Sequence, residues 1–182
     1  MRRAFTQLSL IALAACASAN QPGAAPEIAK TVTVEGGGAA PISLTMMSDA
    51  QTTVGTVASP IAPVWRAVTV VYDSLGIPRT TYVSSTHLLG VRSWRLVRQL
   101  GGVPLSRYLD CGNAQSAPSA DTYEVHLTVY SQLQSGNDGT MVATSVAATA
   151  RPLALAGDGV KCSSKGILES RIMEGVRAQL KP

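Results

Sequence analysis

Few side chains in this 182-residue sequence can act as nucleophiles, bases or metal ligands. Its thiols are Cys16, Cys111 and Cys162, and its imidazoles are His87 and His126. The sequence signature of a metal or redox centre is a set of ligands at short spacing. No Cys-x-x-Cys occurs, and neither histidine lies near Cys111 or Cys162 in sequence. His126 stands in an alternating run, on the same face as Glu124 and Thr128. A general base there needs a nucleophile and an orienting group within hydrogen-bond reach, so a solvated strand face is the expected reading. His87 follows Ser84, Ser85 and Thr86 in an apparent loop with no nucleophile-elbow pattern. Gly157 and Gly159 around Asp158 do not make a phosphate loop, because neither the glycine spacing nor the following Lys-Ser/Thr is present. These readings give no catalytic residue, no metal and no cofactor.

Composition narrows the classes further. The chain is 46% hydrophobic but 14% charged, against roughly 25% charged in average soluble domains. No run approaches the roughly 20 apolar residues of a spanning helix. The length suits one domain, and a domain of this size buries about 70% of its unfolded surface. Plentiful Val, Leu and Ile argue against disorder of the whole chain.

The N-terminus carries the most specific signal. Arg2 and Arg3 form a positive segment, and Ala4 to Leu13 a short apolar one diluted by Thr6, Gln7 and Ser9. That is the shape of a secretory signal, too short to span. It ends in Leu13-Ala14-Ala15-Cys16. This run resembles the lipobox of bacterial lipoproteins. The resemblance implies a diacylglycerol-modified Cys16 thiol, cleavage before it and acylation of the new amine. One acyl chain holds a membrane only marginally, and two or more hold it stably. Ala17, not Asp, follows Cys16, which by the same resemblance implies transport to the outer membrane, on the inner leaflet facing the periplasm. Cleavage removes Arg2 and Arg3 from a formal charge of +4. The basic balance therefore belongs partly to the signal and is poor evidence for nucleic acid.

The expected organisation is a signal peptide over 1–15, an acylated Cys and flexible tether over 16–40, and a single domain over 41–182. The tether is rich in Ala, Gly, Pro and Ser, with Thr31 to Glu35 a candidate first strand. In an oxidising compartment the even pair Cys111 and Cys162 reads as a disulfide. Closing a loop of roughly 50 residues contributes about 4 kcal/mol. The bond would join a strand end to the start of the last helix.

The elements follow from periodicity. Ser59 as cap, Pro60 as first helical residue, and the stripe Ile61, Val64, Trp65, Val68, Val71, Tyr72 and Leu75 predict a helix stopped by Gly76 and Pro78. Strand candidates are Ile42 to Met47, Thr52 to Val57, Arg79 to Ser84, Ser93 to Leu100 and Pro104 to Asp110. The inward face of Ser93 to Leu100 is ambiguous. Thr122 to Leu133 is the strongest strand, and the Asp138-Gly139 turn returns it as Thr140 to Ala150. Asn113 to Asp121 and Ala154 to Gly159 read as loops. The last helix starts near Ser163 or Ser164, with Leu168, Ile172, Val176 and Leu180 recurring. The predicted class is α+β: an antiparallel sheet of about 5–6 strands with two main helices on one face, helix-grip-like. With Val64, Trp65, Leu75 and Gly76 before the sheet, the domain resembles the helix-grip-like domains of the family of the third barrel-assembly lipoprotein. That implies an architecture and carries over no site residue.

Arg92, Arg95, Arg98 and Arg107, with Trp94 and Tyr108, make the remaining cluster. It reads either as a surface for anionic lipid, lipopolysaccharide, peptidoglycan or an acidic envelope protein, or as a charged edge that discourages edge-to-edge pairing. The expected function is a non-enzymatic, outer-membrane-anchored lipoprotein acting as a binding or envelope-assembly module. The alternative is a carrier of a small apolar ligand or lipid in a helix–sheet cavity. A hydrolase would need polar groups converging in a pocket, which the sequence does not announce.

Overall fold

The computed structural model describes residues 29–34, 42–47, 50–114, 117–153 and 159–181. The expected signal peptide, Cys16, most of the tether and the Gly157–Asp158 pair lie outside these residues.

In chain order, β1 (Ala29–Val34) and β2 (Ile42–Met47) form an antiparallel pair. β3 (Gln51–Val57), helix α1 (Ile61–Ser74), β4 (Thr81–Val83) and β5 (Leu88–Val97) follow. Then come the short ladder of β6 (Gln99–Leu100) with β7 (Val103–Pro104), a 3₁₀ turn over Leu105–Arg107, and β8 (Leu109–Asp110). A second short ladder joins β9 (Asn113–Ala114) to β10 (Ala117–Pro118), and the one-turn α2 (Ser119–Thr122) leads into the sheet centre. The centre is the hairpin of β11 (Glu124–Gly136) and β12 (Gly139–Arg151). β13 (Val160–Ser164) and α3 (Ile167–Gln179) complete the fold.

The fold is α+β, as its periodicity predicts. One antiparallel sheet runs β4-β5-β11-β12-β13-β8, and β3 also pairs with β12. The far side of β12 is thus divided. β3 takes Thr140 to Val146, and β13 takes Ala148 to Ala150. Asn137 and Asp138 form the hairpin turn, and Gly139 opens β12 at φ +127°, where a Cβ would lie 2.2 Å from the Val57 carbonyl.

Alternation decides which face is covered. Val125, Leu127, Val129 and Leu133 of β11, with Val142, Val146, Ala148 and Ala150 of β12, are buried beneath α1 and α3. The two helices meet at Gly175, where a Cβ would sit 2.9 Å from Val71 Cγ2. One polar chain crosses this interior: the Tyr72 hydroxyl, Ser131 Oγ and Thr144 Oγ1 are linked at 2.9 Å and 2.9 Å. Each group is satisfied, so its burial is tolerated. Burial pushes the Tyr72 phenol well above its usual range, against a smaller lowering by Ser131.

The end of α1 shows why the sequence stops it there. Gly76, at φ +69°, donates to the Asp73 carbonyl, and Ile77 donates to the Tyr72 carbonyl. This paired arrangement satisfies the last carbonyls and seats Ile77 in the core.

Several boundaries differ from expectation. Pro60, not Ser59, occupies the cap of α1. Ser59 instead offers its carbonyl to the Thr140 hydroxyl at 2.7 Å. Pro104 to Asp110 is not one strand, because the 3₁₀ turn breaks it. Described parts of Asn113 to Asp121 are ordered as a ladder and a helical turn, with Asp121 Oδ1 accepting the Ser106 N–H at 2.8 Å. Ser163 and Ser164 belong to β13, not to the last helix, because both pair with β8. Ser164 Oγ accepts the Gly166 N–H and donates to Glu169, so it still serves the helix start.

The Cys111–Cys162 disulfide is present, with Cα atoms 4.2 Å apart. It does not join a strand to a helix start. Asp110 pairs with Ser163 and Leu109 with Ser164, so the next antiparallel position sets Cys111 across from Cys162. Such close cross-strand separation is that of a non-hydrogen-bonded pair.

Candidate functional site

The polar outer face of the sheet holds the candidate site, and an irregularity in β5 builds it. Val91 pairs with Val129 and Trp94 with Leu127, so three steps on β5 match two on β11. One extra residue is accommodated in a bulge. Arg92 and Ser93 share the space opposite Thr128, and Ser93 takes φ +50°, a region that non-glycine residues rarely occupy. The bulge frees the Ser93 N–H from the ladder, and Thr128 Oγ1 accepts it at 3.0 Å. Past the bulge the alternation resumes in phase. Trp94 and Leu96 pack against the core, while Arg95 lies opposite His126. The ambiguity of Ser93 to Leu100 is settled by this extra residue.

Four strand residues are then linked on the outer face. Ser93 Oγ lies 3.1 Å from His126 Nδ1, and His126 Nε2 lies 2.9 Å from Glu124 Oε1. Arg95 donates to the other Glu124 oxygen. In the neutral tautomer protonated at Nε2, the serine hydroxyl donates to the ring and the ring donates to the carboxylate. The side chains of His126 and Glu124 are only 24% and 19% exposed, so neighbours restrict both. The Arg95 hydrogen bond is the main reason that the Glu124 carboxyl is held below the usual carboxylate range, with desolvation opposing it and His126 adding to it.

A hollow of about 280 Å³ opens beside these groups, lined in part by Arg92, Ser93, His126, Thr128, Thr149 and Lys161. Ala147 of β12 also lines it. A larger residue there would fill the space. Three strands (β5, β11 and β13) thus bring a hydroxyl, an imidazole and two cationic side chains to one concavity.

The expected six-residue surface does not hold together. Arg92 and Arg95 lie on the outer face, exposed. Trp94 turns inward. Tyr108 is a core residue, 2% exposed, with its hydroxyl accepting from Arg171. Arg98 and Arg107 are exposed in the turn and the 3₁₀ segment beyond β5, where the Arg98 carbonyl accepts the Leu105 N–H. Pleat alternation and the break at Leu105 separate residues that look adjacent in sequence. His87 lies apart from this face: its ring meets the Trp65 ring edge-on at 5.4 Å, and its carbonyl accepts the Leu133 N–H.

Sequence reasoning missed Lys161 of the hollow and, with more consequence for the chemistry, Ser93. It lies 33 positions from His126, and no local motif joins them. A signal was present, because the apolar residues Val91 and Trp94 stand three apart, where a regular strand would keep them two or four apart. Among the described residues no group of three or more His, Cys, Asp or Glu side chains is placed to hold a metal, and no helix is long and apolar enough to cross a membrane. Comparison with protein-family models finds no match to this chain, and comparison with curated proteins finds none either.

Proposed function

We propose that this chain is a lipoprotein anchored through Cys16 to the inner leaflet of the outer membrane, where its domain acts as a binding or envelope-assembly module in the periplasm. The observation that carries this reading is the run Leu13-Ala14-Ala15-Cys16 behind a short apolar segment with Arg2 and Arg3 before it. The Cys111–Cys162 bond supports it, since disulfides persist in oxidising compartments. The binding face is the outer side of the sheet around Arg92, Arg95 and Lys161, which suits an anionic lipid headgroup or an acidic envelope protein. The carrier reading has less support. Tyr72, Leu127, Leu133, Leu168 and Ile172 fill the space between helices and sheet, each under 2% exposed.

The test is expression of the full chain in a Gram-negative host fed labelled fatty acid. The label should enter the wild type, which should fractionate with the outer membrane. The Cys16→Ala variant should take up no label and leave that fraction. Label in the variant, or none in the wild type, refutes the anchor. A photo-crosslinker at Arg95 then identifies what the outer face touches.

A further inference from the structure

We infer that Ser93 is a nucleophile activated by His126, with Glu124 orienting the ring, and that the hollow beside it takes an ester bearing a negative charge. This goes beyond the binding reading: it makes the same face reactive, and it does not rest on membrane anchoring.

A hydroxyl is a weak nucleophile unless a base stands within hydrogen-bond reach, and the base works best when a third group fixes its tautomer. Here the distances are 3.1 Å from Ser93 Oγ to His126 Nδ1 and 2.9 Å from His126 Nε2 to Glu124 Oε1. A carboxylate on Nε2 holds the proton there and leaves Nδ1 as acceptor. Arg95 holds the carboxylate in turn, so Glu124 stays ionised and in place. Arg95 and Glu124 are positioning residues, because neither reaches the reacting atoms.

The second observation is the backbone at Ser93. A regular strand would keep this residue in extended geometry. The bulge gives it φ +50°, a conformation with a steric cost for serine, and Thr128 takes up the freed N–H. Strain of this kind clusters where a side chain must be aimed. It aims the hydroxyl at the imidazole. The third observation is the hollow. Arg92 and Lys161 line it with Ser93 and His126, so a carboxylate or phosphate on the substrate has cationic neighbours while its ester carbon meets Ser93.

Ser93 Oγ bonds to the ester carbonyl carbon as its proton passes to His126 Nδ1. The ester C–O bond breaks, and the leaving alcohol takes that proton. Water then attacks the acyl-serine by the reverse exchange, releasing the acid and regenerating Ser93. Besides Glu124 on its own strand, the charged groups facing His126 are Arg92 and Arg95 from β5 and Lys161 from β13. β12 contributes Ala147 and Thr149, which do not titrate.

The test uses the full chain in detergent, with or without its lipid. A fluorophosphonate probe should form an adduct that peptide mass spectrometry places on Ser93. His126→Gln should slow labelling about 100-fold, the loss expected when a general base is removed. Glu124→Gln should slow it less and shift its pH profile. Ser93→Ala should abolish the adduct, and Ser93→Gly, which relieves the positive φ, should do the same while keeping the fold. A 4-nitrophenyl ester with a carboxylate on its acyl arm should react at least tenfold faster than the acetate. Equal rates overturn the anionic substrate. No adduct on Ser93, or labelling as fast in His126→Gln, overturns the nucleophile. A protein that labels but fails to take up fatty acid refutes the anchor alone.

Discussion

Removing the disulfide gives the sharpest test of how this fold is held. Cys111 and Cys162 are 51 residues apart, and loop-closure entropy for that separation amounts to about 4 kcal/mol at 25 °C. The native state should survive the loss. Asp110 and Leu109 still pair with Ser163 and Ser164, Lys165 donates its N–H to the Tyr108 carbonyl at 2.8 Å, and Lys165 Nζ reaches the Ser106 carbonyl at 2.7 Å. Stability is therefore lost through a freer unfolded chain. Unfolding entropy of about 2.1 cal/mol/K per residue, taken over the folded domain, converts this into a Tm lower by roughly 10–15 °C. The Cys111→Ala/Cys162→Ala variant, chosen because alanine leaves no polar group in a partly apolar site, should show that drop by calorimetry. The wild type in excess reductant should show it too. Both should retain the native near-ultraviolet spectrum below the transition. A drop under about 3 °C in both would refute the reasoning, since it would mean that the unfolded chain is already constrained between these strands.

Glu169 should be a liability at neutral pH. Burial raises its pKa against the lowering by Ser164, and its Oε2 has no hydrogen-bond partner among the described residues. A folded pKa above the unfolded one gives stability that is complete below the unfolded pKa and is lost as pH rises through the folded pKa. Glu169→Gln should therefore raise the urea midpoint at pH 7.5 but not at pH 4, and an unchanged midpoint at pH 7.5 would contradict this. Ser131→Ala should cost more than Tyr72→Phe, because it strands a buried phenol at about 1–3 kcal/mol, while loss of the phenol leaves Ser131 and Thr144 bonded to each other. Denaturant curves that rank the two in the opposite order would be decisive against that chain. Gly175→Ala should destabilise despite alanine's better helix propensity, because crowding against Val71 costs about 1–3 kcal/mol; a raised Tm would show that α1 and α3 lie further apart.

The long-period features of the fold were legible because burial on one face writes itself into sequence. The stripe of α1, its Gly76 stop, and the alternation of β11 and β12 each follow from a regular element against a core. The breaks were not legible. Leu105 and Tyr108 fall inside the strand expected over Pro104 to Asp110, yet their spacing of three would put them on opposite strand faces, and both are buried from a 3₁₀ turn and its exit. Ser163 and Ser164 look like helix caps because serine is a good cap, and only their pairing with β8 makes them strand. The candidate site divides the same way. His126 and Glu124 were visible as neighbours on one face, while Ser93 is brought to them by tertiary pairing across a bulge, whose local trace is the three-residue spacing of Val91 and Trp94.

The bulge offers a last test of that account, because a pleated strand responds to deletions by parity. Val91 points inward, Trp94 points inward, and two residues between them share one outward place. Deleting Arg92 removes the surplus residue. Every later side chain keeps its face, Trp94 and Leu96 remain against the core, and the β5–β11 ladder becomes continuous. The variant should fold with a Tm within a few degrees of wild type. Its Ser93 would adopt extended geometry, and the positive φ that now aims the hydroxyl at His126 would vanish. Deleting Leu96 instead leaves the bulge and inverts the strand beyond it, moving Val97 into the core and upsetting the turn at Arg98. That variant should be far less stable. If the Arg92 deletion unfolds the protein while the Leu96 deletion is tolerated, Arg92 is not the extra residue and the register around Ser93 is wrong.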